Sequence, residues 1–263
     1  MKIVGRLQEV FSTKPRSSLF TGDFKSWHDA KECSTGYDAP QILAKTRAAL
    51  LKVKEGKAAF ERDSVAFDKI EPNFSLLSGL SRAAAVDEGR LNVLDFGGSL
   101  GGTYFQCRNS LPLISEFRWN VIDQPAQVAC GKADFANEEL HFYENIDHCL
   151  REQKPNVLLL SGVLQYLPEP YIFLEDILRK EIPHVIVERT AFNADGVDRL
   201  TVQHVPAWLY DASYPAWFLS EASLRRIFAP KHDLICEYPG DDEAELEGGK
   251  AVFKGFQFQR KSS

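Results

Sequence analysis

The pattern of hydrophobic and polar residues changes character at about residue 91. From Leu91 onward, apolar runs of strand length alternate with amphipathic segments of helical length. The apolar runs are LNVLDF, FRWNVID, LHFYENI, PNVLLLS and HVIVERT, and the helical segments cover about 101–115, 124–134, 146–152 and 171–180. This alternation requires right-handed crossovers and favours a parallel sheet that is covered on both faces. With a helix at 220–228 and two last strands at 233–238 and 251–259, the sequence predicts a Rossmann-like α/β fold, a three-layer αβα sandwich with a seven-stranded, mostly parallel sheet.

The first ninety residues have a different texture, with helical spacing and no strand pattern. Ser26 is placed to cap a helix that extends through Cys33, and Asp38 is placed to cap a longer helix that ends at about Glu55. Helical spacing predicts a third helix at 73–86. We therefore predict an amino-terminal helical cap or lid over 1–90 and a main domain over 91–263. That domain carries an aromatic-rich insertion at about 190–218, and the acidic segment PGDDEAELEGG is predicted to be an exposed loop between the last two strands.

Composition and charge narrow the function classes. With 44% hydrophobic and 26% charged residues, the chain is typical of soluble globular proteins, and its net charge of −6 disfavours nucleic-acid binding. No apolar run approaches the roughly 20 residues of a membrane span, and MKIVGRLQEVF is too short in apolar residues for a signal peptide, so a cytoplasmic protein is expected. Five cysteines without a CxxC pair and six scattered histidines predict neither a metal site nor a disulfide framework.

The segment at the end of the first apolar run carries the strongest chemical signal. Asp95 is followed by a glycine-rich turn that contains Gly97, Gly98, Ser99 and Gly101 and opens a helix. Such a turn lets a ligand approach backbone N–H groups closely. The GxGxxG spacing of dinucleotide-binding turns is not met, because Ser99 stands at its second glycine. A carboxylate before the turn repels a pyrophosphate and attracts an ammonium group, so we expect Asp95 to face the methionine portion of S-adenosylmethionine.

Two positions beyond the turn support a nucleoside ligand. Asp123 ends the second strand, about 20 residues after the turn, where an acidic residue accepts hydrogen bonds from ribose hydroxyls, and Gln124 follows beside the adenosine. Ser161 ends the fourth strand at the edge where open α/β sheets bind ligands. A turn residue at Asp123 and a capping serine at Ser161 are the alternatives.

These motifs resemble those of the class I S-adenosylmethionine-dependent methyltransferases, whose first motif is an acidic residue followed by GxGxG. Asp95, Gly97 and Gly101 match that motif, and Ser99 departs from it. The stretch VLQYLPEP after the fourth strand is also similar, with Gln165 and Tyr166 at the positions of the commoner histidines. More narrowly, the order of GDFKSWHDA, STGYD, ERDSVAF, DFGGSLGGTYFQ, LLLSGVLQYL, ERTAF and SYPAWF resembles a bacterial family assigned as class I methyltransferases. The resemblance implies the fold and S-adenosylmethionine as cofactor, and it suggests a small-molecule or saccharide-type acceptor.

Candidate residues for the acceptor lie in two regions. Arg62, in the charged cluster ERDS, is predicted to bind a carboxylate of the cofactor or of an anionic acceptor; a solvated helix end is the alternative. Tyr37 is predicted to close over the cofactor. Arg189 ends the fifth strand, and His204 and Tyr214 follow in the insertion as candidate bases. O-methylation is preferred because an oxygen acceptor needs only one base. A nicotinamide-dependent oxidoreductase and a non-catalytic binding module are the alternatives, and the oligomeric state stays open.

Overall fold

The computed structural model describes residues 19–36, 40–112, 114–206, 212–246 and 249–262. The helices are α1 (Trp27–Glu32), α2 (Pro40–Lys54), α3 (Phe74–Val86), α4 (Gly102–Arg108), α5 (Pro125–Asp134), α6 (Ile146–Glu152), α7 (Pro170–Leu178) and α8 (Glu221–Phe228). The strands are β1 (Phe20–Phe24), β2 (Phe60–Arg62), β3 (Val65–Phe67), β4 (Arg90–Phe96), β5 (Glu116–Ile122), β6 (Leu140–Tyr143), β7 (Val157–Ser161), β8 (His184–Asn193), β9 (Arg199–His204), β10 (Ser213–Phe218), β11 (His232–Leu246) and β12 (Gly249–Arg260).

The main sheet has seven strands in the order β11-β12-β8-β7-β4-β5-β6. β4 pairs in parallel with both β5 and β7, and β5 pairs in parallel with β6, whereas β11 and β12 are antiparallel. β4 is an interior strand between β7 and β5, and its residues 91–95 are buried, as is typical of a parallel strand that is covered on both faces. The predicted Rossmann-like α/β fold with a seven-stranded, mostly parallel sheet is confirmed.

The chain forms two compact units. The first comprises Pro40–Ser161 and Ile182–Val187, and the second comprises the described residues of Met1–Ala39, Gly162–Glu181 and Glu188–Ser263. In the first unit, α3 places Leu76 and Leu80 in the same core as Val93 of β4. The boundary predicted at residue 90 therefore does not separate two cores. The lid role predicted for the first ninety residues stays a prediction.

The amino-terminal helices begin as predicted where their capping residues are described. Ser26 accepts a hydrogen bond from the backbone N–H of Asp29 at 3.2 Å, and Asn73 accepts one from Leu76 at 3.0 Å. The predicted cap at Asp38 lies outside the described residues. The expectation that this region has no strands is wrong, because β1, β2 and β3 lie within it. They are three to five residues long, too short for an alternating pattern to show in the sequence.

The second unit contains a three-stranded sheet in the order β1-β9-β10. The predicted insertion supplies β9 and β10, which pair antiparallel, and β1 adds from the amino-terminal segment. Trp217 of β10 packs against the small cluster of Ala30, Leu200 and Val202 and stacks on Trp27 at 6.4 Å between ring centroids. Part of the aromatic-rich insertion therefore packs in a small apolar cluster of its own unit.

The acidic segment that was predicted to be a loop is mostly strand, which is a correction. β11 continues to Leu246, and Ala244 pairs with Ala251 of β12. The physical reason is a period of two in AEL, because Ala244 and Leu246 are buried in a cluster with Ala191 and Phe218. Composition alone could not reveal this alternation, since acidic residues dominate the segment.

Candidate functional site

The glycine-rich turn joins β4 to α4 within the first unit. Gly97, Ser99 and Gly101 have positive φ angles of 75°, 54° and 88°, and Gly97 donates a backbone hydrogen bond to Ile122 of β5 at 2.8 Å. Ser99 therefore takes the left-handed conformation that glycine adopts most readily, at a cost of about 1 kcal/mol for a residue with a β-carbon. The departure from GxGxG leaves the left-handed geometry of the turn in place.

The Asp95 carboxylate lies directly under this turn. The residue is 1% exposed, and its Oδ2 accepts a hydrogen bond from the Trp119 indole N–H at 2.9 Å. A β-carbon added at Gly98 would lie 2.5 Å from Asp95 Oδ2 and 2.6 Å from Cγ. Gly98 is thus glycine for space, because the turn backbone rests on the carboxylate. The buried carboxylate of Asp95 packs against the backbone of the turn. That Asp95 also faces the ammonium group of the cofactor stays a prediction.

Asp123 joins the end of β5 to the same turn. Its Oδ2 accepts a hydrogen bond from the backbone N–H of Ser99 at 2.8 Å, and its Oδ1 accepts one from Gln124 at 2.7 Å. Burial raises the pKa of Asp123, while these two N–H groups act in the opposite direction. A carboxylate has about four lone-pair sites, so each oxygen keeps capacity for a further donor. The predicted residues Asp95, Gly97, Gly98, Ser99, Gly101, Asp123 and Gln124 are therefore brought together in one place.

Glu61 is a site residue that sequence reasoning missed. It is 8% exposed on β2, its Oε1 accepts a hydrogen bond from the backbone N–H of Ser64 at 2.8 Å, and its Oε2 lies 2.5 Å from where a β-carbon of Gly102 would be. Successive residues of a strand point to opposite faces, so Arg62 points away from the face that carries Glu61. The cluster ERDS thus reaches the turn through its glutamate, and not through the arginine that the sequence favoured. The available signal was Gly102, a second glycine in a helical position where the backbone does not require one.

A two-residue turn holds Glu61 in position. Arg62 pairs with Val65, and the two residues between them, Asp63 and Ser64, have positive φ angles of 51° and 67°. Positive φ at both positions is the pattern of a type I′ hairpin, which Asn-Gly usually supplies. The Ser64 hydroxyl also shares a 2.7 Å hydrogen bond with Thr46 of α2. The strained hairpin is therefore anchored at both its backbone and its side chain.

Ser161 and Tyr37 complete the predicted cofactor residues. Asp95 pairs with Leu159 across β4 and β7, so Ser161, two residues further along β7, lies at the same carboxyl edge of the sheet as the turn. It is half-buried there. Tyr37 lies outside the described residues.

In the second unit, Arg189 has an unusual backbone. It lies within β8 with a φ of 49°, and its carbonyl oxygen accepts a hydrogen bond from the Gln165 side chain at 3.1 Å. A β-carbon on Gly162 would be 3.8 Å from Arg189 Nη1, so the guanidinium group lies beside the loop that follows β7. Left-handed residues of this kind cluster at ligand sites, where the surrounding structure imposes the strain.

His204 and Tyr214, the two predicted bases, lie on opposite faces of the three-stranded sheet. Tyr214 pairs with Gln203, so these two side chains share a face, and His204, the next residue along β9, is on the other face. The His204 ring is exposed and hydrogen-bonds Thr21 of β1 at 2.9 Å. Tyr214 is buried, with its ring edge-on to Tyr166 at 5.3 Å. These two residues do not serve one site.

Metal sites and membrane-spanning helices each have a characteristic geometry that can be compared with the part of the chain that is described. No group of three or more His, Cys, Asp or Glu side chains is arranged there to hold a metal ion. None of the described helices combines the length and the apolar character needed to cross a bilayer.

Comparisons with known proteins give the following. No family model and no curated protein matches the chain. Among solved structures, the chain is similar to the amino-terminal domain of EvdMO1 with SAH bound, at 14% identity over 86% of this chain and 98% of that chain, with a TM-score of 0.46. It is also similar to CalS10, an amino pentose methyltransferase from Micromonospora echinaspora, at 11% identity over 72% of this chain and 91% of that chain, with a TM-score of 0.45. At such identities and TM-scores, these similarities assign no activity to this chain.

Proposed function

We propose that the protein is an S-adenosylmethionine-dependent methyltransferase that acts on a small-molecule or saccharide-type acceptor, with oxygen as the preferred methylated atom. The observation that carries this proposal is the acidic surrounding of the glycine-rich turn. Asp95, Asp123 and Glu61 lie against three successive parts of the turn, at Gly98, Ser99 and Gly102.

The charge of these side chains decides between the two ligands that such a turn accommodates. Two unit charges about 4 Å apart near a protein surface interact by about 4 kcal/mol, more than one hydrogen bond contributes. A pyrophosphate would meet three carboxylates, and the Ser99 N–H that it would need already donates to Asp123. S-adenosylmethionine carries a sulfonium and an ammonium charge, which the same carboxylates attract. The acidic turn therefore favours the methyl donor over a nicotinamide dinucleotide.

The residues present also fit the nucleoside part of the cofactor. Asp123 is fixed by two backbone N–H groups and keeps lone pairs for the two ribose hydroxyls. Gly98 and Gly102 let the backbone approach the Asp95 and Glu61 carboxylates closely, which keeps these acidic groups beside the turn. When bound, S-adenosylmethionine supplies an electrophilic methyl group, so that transfer forms a bond from the acceptor oxygen to carbon, breaks the carbon–sulfur bond and leaves the electron pair on a neutral thioether.

The chain's own contribution to this transfer is binding and orientation. The protein has to hold the acceptor oxygen near 3 Å from the methyl carbon and to remove one proton from it. We assign Tyr214 and Arg189 to the acceptor side, since Tyr214 contacts Tyr166 and Arg189 contacts Gln165 in the loop that follows β7. His204 is not included, because it lies on the opposite face of its sheet from Tyr214.

Calorimetric titration of the wild-type protein with S-adenosylhomocysteine and with NAD tests the proposal. We expect binding of S-adenosylhomocysteine and none of NAD. Asp123→Ala removes an acceptor of charge-assisted hydrogen bonds worth about 1.5–3 kcal/mol, so binding should weaken about 10- to 100-fold. Asp233→Ala, at an exposed aspartate of β11, is the matched control and should bind like wild type. Heat from NAD without heat from S-adenosylhomocysteine would show that the chain belongs to the other cofactor class.

A further inference from the structure

The loop that follows β7 contains a buried acceptor without a donor. Gln165 is 4% exposed, and its side-chain N–H donates to the Arg189 carbonyl. Its Oε1 has no hydrogen-bond partner among the described residues. A buried carbonyl oxygen without a donor costs about 1–3 kcal/mol, so native proteins rarely retain one without a use. The unpaired atom points to a ligand that brings its own donor.

A second amide is connected to this loop through Tyr166. The hydroxyl of Tyr166, the neighbour of Gln165, donates to Oε1 of Gln203 at 2.9 Å. With its oxygen on the Tyr166 hydroxyl, the Gln203 amide has its two N–H donors on the other side of the group. Gln203 also shares its face of the sheet with Tyr214, whose ring meets Tyr166 edge-on. Tyr166 therefore follows Gln165 in the chain and binds the amide of Gln203 through its hydroxyl.

The backbone near these side chains has two residues with positive φ angles, Gly162 and Arg189. Gly162 has a φ of 64° and donates a backbone hydrogen bond to Glu188 at 2.8 Å, and Arg189, whose carbonyl accepts the Gln165 hydrogen bond, has a φ of 49°. A strained residue persists only where its surroundings over-determine it. The Gln165 side chain therefore binds a backbone position that the surrounding structure holds in a strained conformation.

We propose that Gln165, Tyr166 and Gln203 form an acceptor subsite for a polyhydroxylated, sugar-like compound, with Gln165 Oε1 accepting a hydrogen bond from one of its hydroxyl groups. The inference rests on the proposed methyltransferase function. Amide and phenol groups are uncharged, and together they donate and accept, which matches the hydroxyl group in both of its roles. An apolar acceptor would leave these groups unpaired, and a site built to hydrogen-bond hydroxyls rejects such a ligand strongly.

The test is ligand-observed NMR with three methyl glycosides, of glucose, galactose and rhamnose, each measured with and without S-adenosylhomocysteine. Cyclohexanol and glucose 6-phosphate serve as apolar and anionic comparison probes. We expect saturation transfer to at least one glycoside with wild-type protein, and binding about five- to tenfold weaker in both Gln165→Leu and Gln203→Leu, since each loses one hydrogen bond. Gln153→Leu makes the same change at an amide that bonds Tyr143, outside the subsite, and should bind like wild type.

The outcomes separate this inference from the proposed function. Unchanged glycoside binding in both glutamine variants overturns the subsite, as does the absence of any glycoside signal from wild-type protein, whichever comparison probe binds. Because Gln203 is half-buried, its variant keeps the test valid if the Gln165 variant does not fold. Calorimetry of S-adenosylhomocysteine should give the same affinity in all variants. If the wild-type protein binds a glycoside but does not bind S-adenosylhomocysteine, the methyltransferase proposal is refuted and the subsite is not.

Discussion

Replacing Gly98 with alanine is the sharpest test of the turn, because nothing but space requires glycine at that position. Gly97 and Gly101 have positive φ angles, whereas Gly98 is not among the residues with one. The new β-carbon would lie 2.5, 2.6 and 3.0 Å from three atoms of the Asp95 carboxylate, closer than carbon atoms of real side chains approach such neighbours. Since Asp95 is buried and hydrogen-bonded to Trp119, it cannot turn away cheaply.

The expected magnitude follows from the size of the displacement. Turn or carboxylate has to move by about 0.5–1 Å, and overpacking of this kind costs about 1–3 kcal/mol of unfolding free energy. Gly102→Ala is the matched comparison, because its β-carbon would meet only one atom closely, Oε2 of Glu61 at 2.5 Å, with the next atom at 3.5 Å. The glutamate side chain also has one more torsion than Asp95 by which this oxygen can move away. We expect that variant to lose less than about 1 kcal/mol, helped by the better helix propensity of alanine.

Equilibrium urea unfolding of a double-mutant cycle supplies the assay. Asp95→Ala alone leaves the Trp119 N–H without its acceptor and should cost about 1–3 kcal/mol. In the double variant, the clash no longer exists, so Gly98→Ala should add little to the cost of Asp95→Ala. If the two single changes add to within about 0.5 kcal/mol, the carboxylate is not what excludes a side chain at position 98, and the account of the turn is wrong.

Three further predictions concern the same fold. Trp119→Phe should cost about 1–3 kcal/mol in urea unfolding, because Asp95 loses a buried donor, and a loss below about 0.5 kcal/mol would contradict this. Ser99→Gly relieves backbone strain but increases the conformational entropy of the unfolded chain, so the free energy of unfolding should change by less than about 0.5 kcal/mol. The affinity for S-adenosylhomocysteine in calorimetry should be unchanged, because the backbone N–H at position 99 still donates to Asp123. A tenfold loss of that affinity would refute this expectation. Burial lowers the pKa of His232 and His184, so protonation favours the unfolded chain. The midpoint of urea unfolding should therefore be constant above about pH 7 and fall below about pH 6.5, and it should fall less steeply in His232→Phe. A midpoint that does not change with pH would count against two buried neutral histidines.

Most of the main sheet could be predicted from the sequence because its strands are buried on both faces. An unbroken apolar run such as Val157–Leu160 is typical of a buried strand when helical segments precede and follow it. The parallel pairing of such strands then brings Asp95 and Asp123 to one edge of the sheet. The glycine-rich turn and the placement of its two aspartates could therefore be predicted from the sequence alone. Capping preferences gave the correct start of α1 at Ser26, and helical spacing gave a start for α3 within one residue of the one observed.

What could not be predicted depended on register and on contacts between distant segments. Glu61 reaches Gly102 across some forty residues of sequence, and only the hairpin turn at Asp63 and Ser64 decides that glutamate, and not Arg62, faces the turn. Likewise, the faces of His204 and Tyr214 follow from the pairing of β9 with β10, which a shift of one residue would reverse. No local pattern in the sequence fixes these pairings.

The contacts of Gly98 and Gly102 with two carboxylates link the choice of residue at distant positions. A chain related to this one could carry alanine or serine at position 98 if position 95 lost its carboxylate, and at position 102 if position 61 were shortened. The two pairs should therefore vary together during divergence, while each glycine stays fixed as long as its acidic partner does. Such paired replacement would distinguish glycines kept for room from Gly97 and Gly101, whose positive φ angles leave little freedom whatever surrounds them.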